Sequence, residues 1–128
     1  MGVFYTDATV VNIKDESRSV RLDGLPVDTG SEASWIPRIL LESIGIERRK
    51  KDQNFQMANG QIITRGVGYA MMRSATYETV DEVVFAEDGD LPLLGARTLE
   101  GFNARVDPIN KRLVAAGPIP AAGNIQKQ

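Results

Sequence analysis

The chain has 128 residues, 42% of them hydrophobic and 25% charged, with a formal net charge of -2. That length and balance describe one soluble globular domain able to bury a core without staples, and the acidity argues against a nucleic-acid or anionic-membrane partner. Cysteine and histidine are both absent, which excludes disulfides, thiol nucleophiles, Ser-His-Asp chemistry and the usual thiolate and imidazole metal sites.

Carboxylates are therefore the natural acid/base groups, and no metal or cofactor is called for. No apolar run approaches the roughly 20 residues of a membrane span. The start lacks the basic-then-apolar pattern of a signal peptide, so a cytoplasmic location is expected. Met1-Gly2 with Thr6 fits the myristoylation pattern, but Val3-Phe4-Tyr5 reads better as a first strand.

The predicted elements are mostly short strands. Thr9 to Ile13 is β-prone, and Asp15-Glu16-Ser17 reads as a polar turn. Ser19 to Leu22 alternates with period two, and Asp23-Gly24 is a further turn signal. Leu25-Pro26-Val27 is an apolar approach to Asp28-Thr29-Gly30-Ser31. Pro26 has no N–H to give a ladder and needs a position where none is required.

Asp28 puts a carboxylate on a tight turn, which makes it a general acid/base candidate. Gly30 can take backbone angles closed to other residues, and Thr29 and Ser31 bring hydroxyls that donate and accept. The triplet is short enough to occur by chance, so its meaning depends on its companions.

Pro37 to Ile44 is the best helix candidate. Pro37 suits the first turn, Gly45 the stop, and Ile36, Ile39, Leu40 and Ile44 the inner face. The run Arg48-Arg49-Lys50-Lys51 is flanked by acids and reads as a solvated loop or edge strand rather than a localisation signal. Gln53 to Gly66 predicts a β-hairpin turning at Asn59-Gly60, the preferred pair of a two-residue type I′ turn.

Strands are expected over Val67 to Arg73, where Met71-Met72 reads as sheet packing, and over Thr76 to Val80 and Val83 to Ala86. Glu87 to Asp90 is an acidic turn without the spaced ligands of a calcium loop. Leu91 to Gly95 is an apolar strand ending in glycine, and Arg97 to Phe102 is a short helix. Arg105-Val106 and Arg112 to Val114 flank Asp107-Pro108-Ile109-Asn110 as a closing hairpin. Residues 1–115 are expected to be the domain and 116–128, rich in Pro, Gly and Ala, a flexible tail. Many short strands with few helices predict an all-β, barrel-like domain.

Three marks stand in order: the Asp28 turn, the hairpin, and Leu93-Leu94-Gly95. With these the chain resembles the retropepsin-like aspartic proteases, and most of all the small single-domain bacterial type, from about Leu22 to Val114. The resemblance implies a closed or partly closed β-barrel with one or two short helices. It implies that Asp28 is the catalytic aspartate and that Thr29, Gly30 and Ser31 support it. Thr29 would brace the partner subunit's loop, and the Ser31 hydroxyl would bond the carboxylate. Ala58, Asn59, Gly60 and Gln61 would be the flap tip over the substrate, and Leu93, Leu94 and Gly95 the element beneath the catalytic loop.

Pro26 and Trp35 depart from the family's usual residues; Trp35 reads as core or a pocket wall. Arg97 stands one place later than the arginine that retroviral members pair with an acid at the position of Glu32. The family's mechanism uses two carboxylates sharing one proton. With one Asp-Thr-Gly per chain, the resemblance implies a homodimer that cleaves peptide or protein substrates. The alternative is a catalytically weak dimer of the same fold that binds peptides or scaffolds a partner.

Overall fold

The computed structural model describes residues 3–123; Met1-Gly2 of the myristoylation pattern and residues 124–128 of the expected tail lie outside the described residues. The first hairpin pairs β1 (Tyr5–Asn12) with β2 (Asp15–Pro26). Its turn is Ile13-Lys14 and not Asp15 to Ser17. The Asn12 side chain is the cause: its Oδ1 accepts the N–H groups of Lys14 (2.8 Å) and Asp15 (3.2 Å), an Asx-type turn. Asp23-Gly24 does not turn the chain either. Gly24, at φ +66°, forms a bulge where the register shifts against Thr6–Ala8, and its N–H bonds the Asp7 carboxylate at 2.8 Å.

β3 (Ser34–Pro37) leads into α1 (Arg38–Ser43). Because the helix begins only at Arg38, its inner face is set by Leu41, with Ile44 just beyond its end; both are buried, while Ile39 is 60% exposed. Ile36, counted above as helical, is buried in β3. Gly45 at φ +77° ends the helix as expected.

β4 (Lys50–Gln56), β5 (Ile62–Ser74) and β6 (Tyr77–Ala86) follow. Thus Lys50-Lys51 of the basic run lie in a strand and Arg48-Arg49 precede it. β5 and β6 are each continuous where shorter strands were expected. The order is β2-β1-β5-β6-β3, with β4 on β5 and β3 parallel to β6. β5 pairs with β6 only from Val67 onward and with β1 only over Met71–Arg73. Residues Ile62 to Gly66 therefore pair with β4 alone, and this part of the hairpin is a two-stranded arm reaching past the sheet.

The sheet does not close into a barrel: among the described residues β2 and β3 are not paired with each other. The expected strand Leu91 to Gly95 is instead two isolated bridges, Val27 with Leu94 and Trp35 with Leu93. Pro92 cannot extend that ladder. These bridges stitch the end of β2 to β3. α2 (Ala96–Phe102) comes next, then the hairpin β7 (Ala104–Asp107) and β8 (Arg112–Ala115). Residues 116–123 carry no helix or strand, though Asn103 holds the Gly117 carbonyl at 2.7 Å.

The architecture is thus mostly β with two short helices. Among the described residues no helix is long and apolar enough to cross a membrane. The main core gathers Val10, Ile36, Leu41, Met72, Phe85, Leu94 and Phe102, so Met72 packs as expected. A second cluster of Ala33, Trp35, Val67, Val84, Ala86 and Leu93 lies apart, with Phe55 and Ile63 against it.

Candidate active site

Backbone bonds deliver Asp28. The Pro26 carbonyl accepts Leu94 N–H at 2.8 Å, and Asp28 N–H donates to the Leu94 carbonyl at 2.9 Å. Pro26 thus serves through its carbonyl, the one main-chain group it can bond with. Ser31 N–H closes the turn onto the Asp28 carbonyl at 3.1 Å. The first N–H groups of a helix have no partner inside it. Here those of Ala96 and Arg97 donate to the Ser31 and Glu32 carbonyls at 2.8 and 2.9 Å. The start of α2 is thereby satisfied by the Asp28 loop, and the loop is fixed by α2.

Gly30 N–H donates to Asp28 Oδ1 at 2.9 Å. Its φ is not in the left-handed region, so conformational freedom is not what this position needs. A Cβ there would sit 3.1 Å from that same carboxylate oxygen, and glycine leaves room for the close approach. Ser31 differs from expectation. Its hydroxyl donates to the Ala33 carbonyl at 2.8 Å, within its own loop, and not to Asp28. Asp28, Thr29 and Gly30 are all exposed.

Leu93 and Leu94 are buried under this loop. Gly95 is buried too, and a Cβ on it would collide with the Ala33 carbonyl oxygen. A chain of polar groups missing from the sequence reading holds this crossing. Gly95 N–H donates to Ser34 Oγ (2.9 Å), Ser34 Oγ lies 2.6 Å from Thr98 Oγ1, and Thr98 Oγ1 donates to Asp81 Oδ2 (3.0 Å). A hydroxyl has one proton. Thr98 gives its own to Asp81, so Ser34 is the donor to Thr98 and every bond runs in one direction. Ser34 and Thr98 are fully buried, so each needs these partners.

A cleft of about 820 Å³ opens between the Asp28 loop and the β4–β5 arm. Its walls include Asp28, Gly30, Ser31 and Leu93 on one side and Phe55, Met57 and Ala58 on the other. Of the expected flap tip only Ala58 is in that wall; Asn59, Gly60 and Gln61 lie outside it. The turn at Asn59-Gly60 is not type I′, because Asn59 lacks the positive φ that type requires and only Gly60 has it, at +87°. Gly60 N–H bonds Met57 O and Met57 N–H bonds Gln61 O, both at 2.8 Å, so the loop has three residues with glycine at the left-handed place.

Trp35 is a cleft wall as well as core, edge-on to Phe55 with ring centroids 5.2 Å apart. The far side of the cleft is charged. Glu82 takes Lys50 at 2.7 Å and Arg97 at 3.5 Å, and Arg97 also reaches Glu32 at 3.8 Å. The hydrogen bond that the Lys50 ammonium donates to Glu82 raises the pKa of Lys50 above its ordinary value.

A smaller hollow of about 180 Å³ lies beside Asn12, Lys14, Arg49 and Tyr69. The carboxamide of Asn12 is already used by Lys14, Asp15 and the Ile44 carbonyl. Among the described residues no group of three or more acidic side chains is placed to hold a metal. The arrangement as a whole offers one exposed, donor-supported carboxylate at the edge of a half-apolar cleft. No protein-family model matches the chain, and no curated protein matches it.

Proposed function

We propose that the chain is a retropepsin-like aspartic endopeptidase acting as a two-fold homodimer. The observation that carries this reading is the Asp28 carboxylate, exposed and bonded by Gly30 N–H, at the edge of a cleft walled on one side by a hairpin arm. One carboxylate is half of the machinery. Two-fold pairing brings a second Asp28 to the first from an identical surface. The exposure of Thr29 and Gly30 beside Asp28 supports a face that a partner covers.

Two adjacent carboxylates share one proton, because both cannot ionise easily at close range. The ionised one takes a proton from a water, which attacks the peptide carbonyl. The protonated one gives its proton to the carbonyl oxygen as the tetrahedral centre forms. The apolar walls at Trp35, Phe55, Val67 and Val84 take substrate side chains, and the arm excludes water.

The test is cleavage of a diverse peptide pool scanned from acid to neutral pH, with Asp28→Asn as control. Activity is expected to be bell-shaped in pH, since only the singly protonated pair is competent. Asp28→Asn keeps the side-chain size and the fold and is expected to lose at least about a hundredfold in rate. Undiminished cleavage by that variant, or activity from a strictly monomeric species, overturns the reading.

A further inference from the structure

We propose that Arg65 and Asp90 form a latch that couples the β4–β5 arm to the cleft wall at Leu91, making Arg65 a positioning residue for that wall. The proposal rests on the reading of the cleft as the substrate site. Its starting point is a mismatch of pattern. Successive side chains of a strand alternate between faces, so Ile63, Arg65 and Val67 of β5 share one. Ile63 and Val67 join the apolar cluster under the cleft. Arg65 is a cation in an apolar row, and a charge largely withdrawn from water needs a partner.

That partner is remote in sequence. Arg65 Nε donates to Asp90 Oδ2 at 2.6 Å and Nη2 donates to Oδ1 at 2.8 Å, while Nη1 holds the Thr64 carbonyl at 2.9 Å. Glu87 N–H donates to Asp90 Oδ2 at 2.8 Å. The two side chains are only 19% and 13% exposed. A guanidinium and a carboxylate joined by two parallel bonds fix distance and orientation together.

The positions of the two ends give the pair its consequence. Arg65 stands in the arm opposite Gln53, in the stretch that neither β6 nor β1 supports. Asp90 stands between Gly89 and Leu91, and all three line the cleft. Leu91 is 66% exposed there, an apolar side chain presented to the opening. Movement of the arm over the cleft therefore carries the 89–91 wall with it, and a substrate side chain against Leu91 biases the arm.

The experiment is amide hydrogen exchange on the free protein, followed by kinetics. Arg65→Gln is expected to speed exchange at least about tenfold in both residues 57–61 and residues 88–91, with the Val10–Val11 amides of β1 unchanged. Acceleration in one segment only, or in neither, overturns the latch. If Arg65→Gln loosens β1 too, Arg65→Lys decides. It keeps the charge but not the fork, and both segments are then expected to fall between wild type and Arg65→Gln. A change confined to one segment again overturns the proposal.

In the kinetic arm, the probe is one fluorogenic peptide taken from the pool that the wild type cleaves. Leu91→Ala is expected to raise KM in the wild type and to raise it less than half as much in the Arg65→Gln background, the signature of coupled sites. An equal effect in both backgrounds overturns the coupling. If the wild type cleaves no peptide, the protease reading fails while the exchange result still decides the latch.

Discussion

Replacing Thr98 by valine tests the polar chain beneath the Asp28 loop. Valine has the shape of threonine but not its hydroxyl. The Thr98 hydroxyl donates to Asp81 at 3.0 Å and accepts from Ser34 at 2.6 Å. A hydrogen bond to a carboxylate is worth about 1.5–3 kcal/mol, and water recovers part of it because Asp81 is only half-buried. The Ser34 O–H is fully buried and then has no acceptor, which costs about 1–3 kcal/mol. The added methyl offsets about 1 kcal/mol. The net expectation is a loss of about 2–4 kcal/mol.

Thr98→Ser keeps the hydroxyl and loses one methyl, about 1 kcal/mol with little cavity. The assay is urea unfolding followed by fluorescence of Trp35, the one tryptophan. Protein concentration is held fixed, because the proposed dimer would tie stability to concentration. The comparison requires unchanged m. If Thr98→Val is no more destabilising than Thr98→Ser, the one-directional chain is wrong.

Gly95→Ala places a Cβ against backbone, 2.6 Å from the Ala33 carbonyl carbon and 2.9 Å from the Glu32 oxygen. Backbone cannot step aside, so a loss of about 2 kcal/mol or more is expected in the same urea assay; a neutral result would show that the crossing is loose. Asp90 supplies the pH dependence. The hydrogen bonds from Arg65 hold its carboxyl below the ordinary value of 3.8 in the folded chain. A depressed carboxyl contributes stability above its unfolded value, and that contribution is lost as pH falls through the folded one. The stability gap between wild type and Asp90→Asn is therefore expected to be wide near about pH 6 and to narrow below about pH 4. A gap of the same size at about pH 3 and about pH 6 would refute the assignment.

Features with local causes were legible in the sequence. Pro37 and Gly45 bracket α1, and Asn59-Gly60 marks the arm's turn even though only Gly60 takes the left-handed angle. Asp107 to Asn110 turns the last hairpin, where the Asp107 carboxylate accepts the Ile109 and Asn110 N–H groups at 3.0 and 3.2 Å. Each of these signals lies within a few residues of its effect. The wrong turns at Asp15 to Ser17 and Asp23-Gly24 were local signals too. They failed because a neighbour claimed the turn first in one case, and because β2 took up an extra residue as a bulge against Asp7 of β1 in the other.

Polar residues inside strands were not legible, because their partners are far along the chain. Asp81 and Glu82 made β6 look like two strands. They sit in one because Thr98, Lys50 and Arg97 meet them there. Arg65 needed Asp90, and Ser34 needed Thr98, 64 residues away. The candidate site divides along the same line. Asp28 and Gly30 were readable as a motif because their bond spans two residues. The position of that motif in space depends on Leu94, on the start of α2 and on the Gly95–Ser34–Thr98–Asp81 chain, all of them non-local. A short motif can therefore mark a donor-supported carboxylate, while the remote polar pairs decide where in the fold that carboxylate stands.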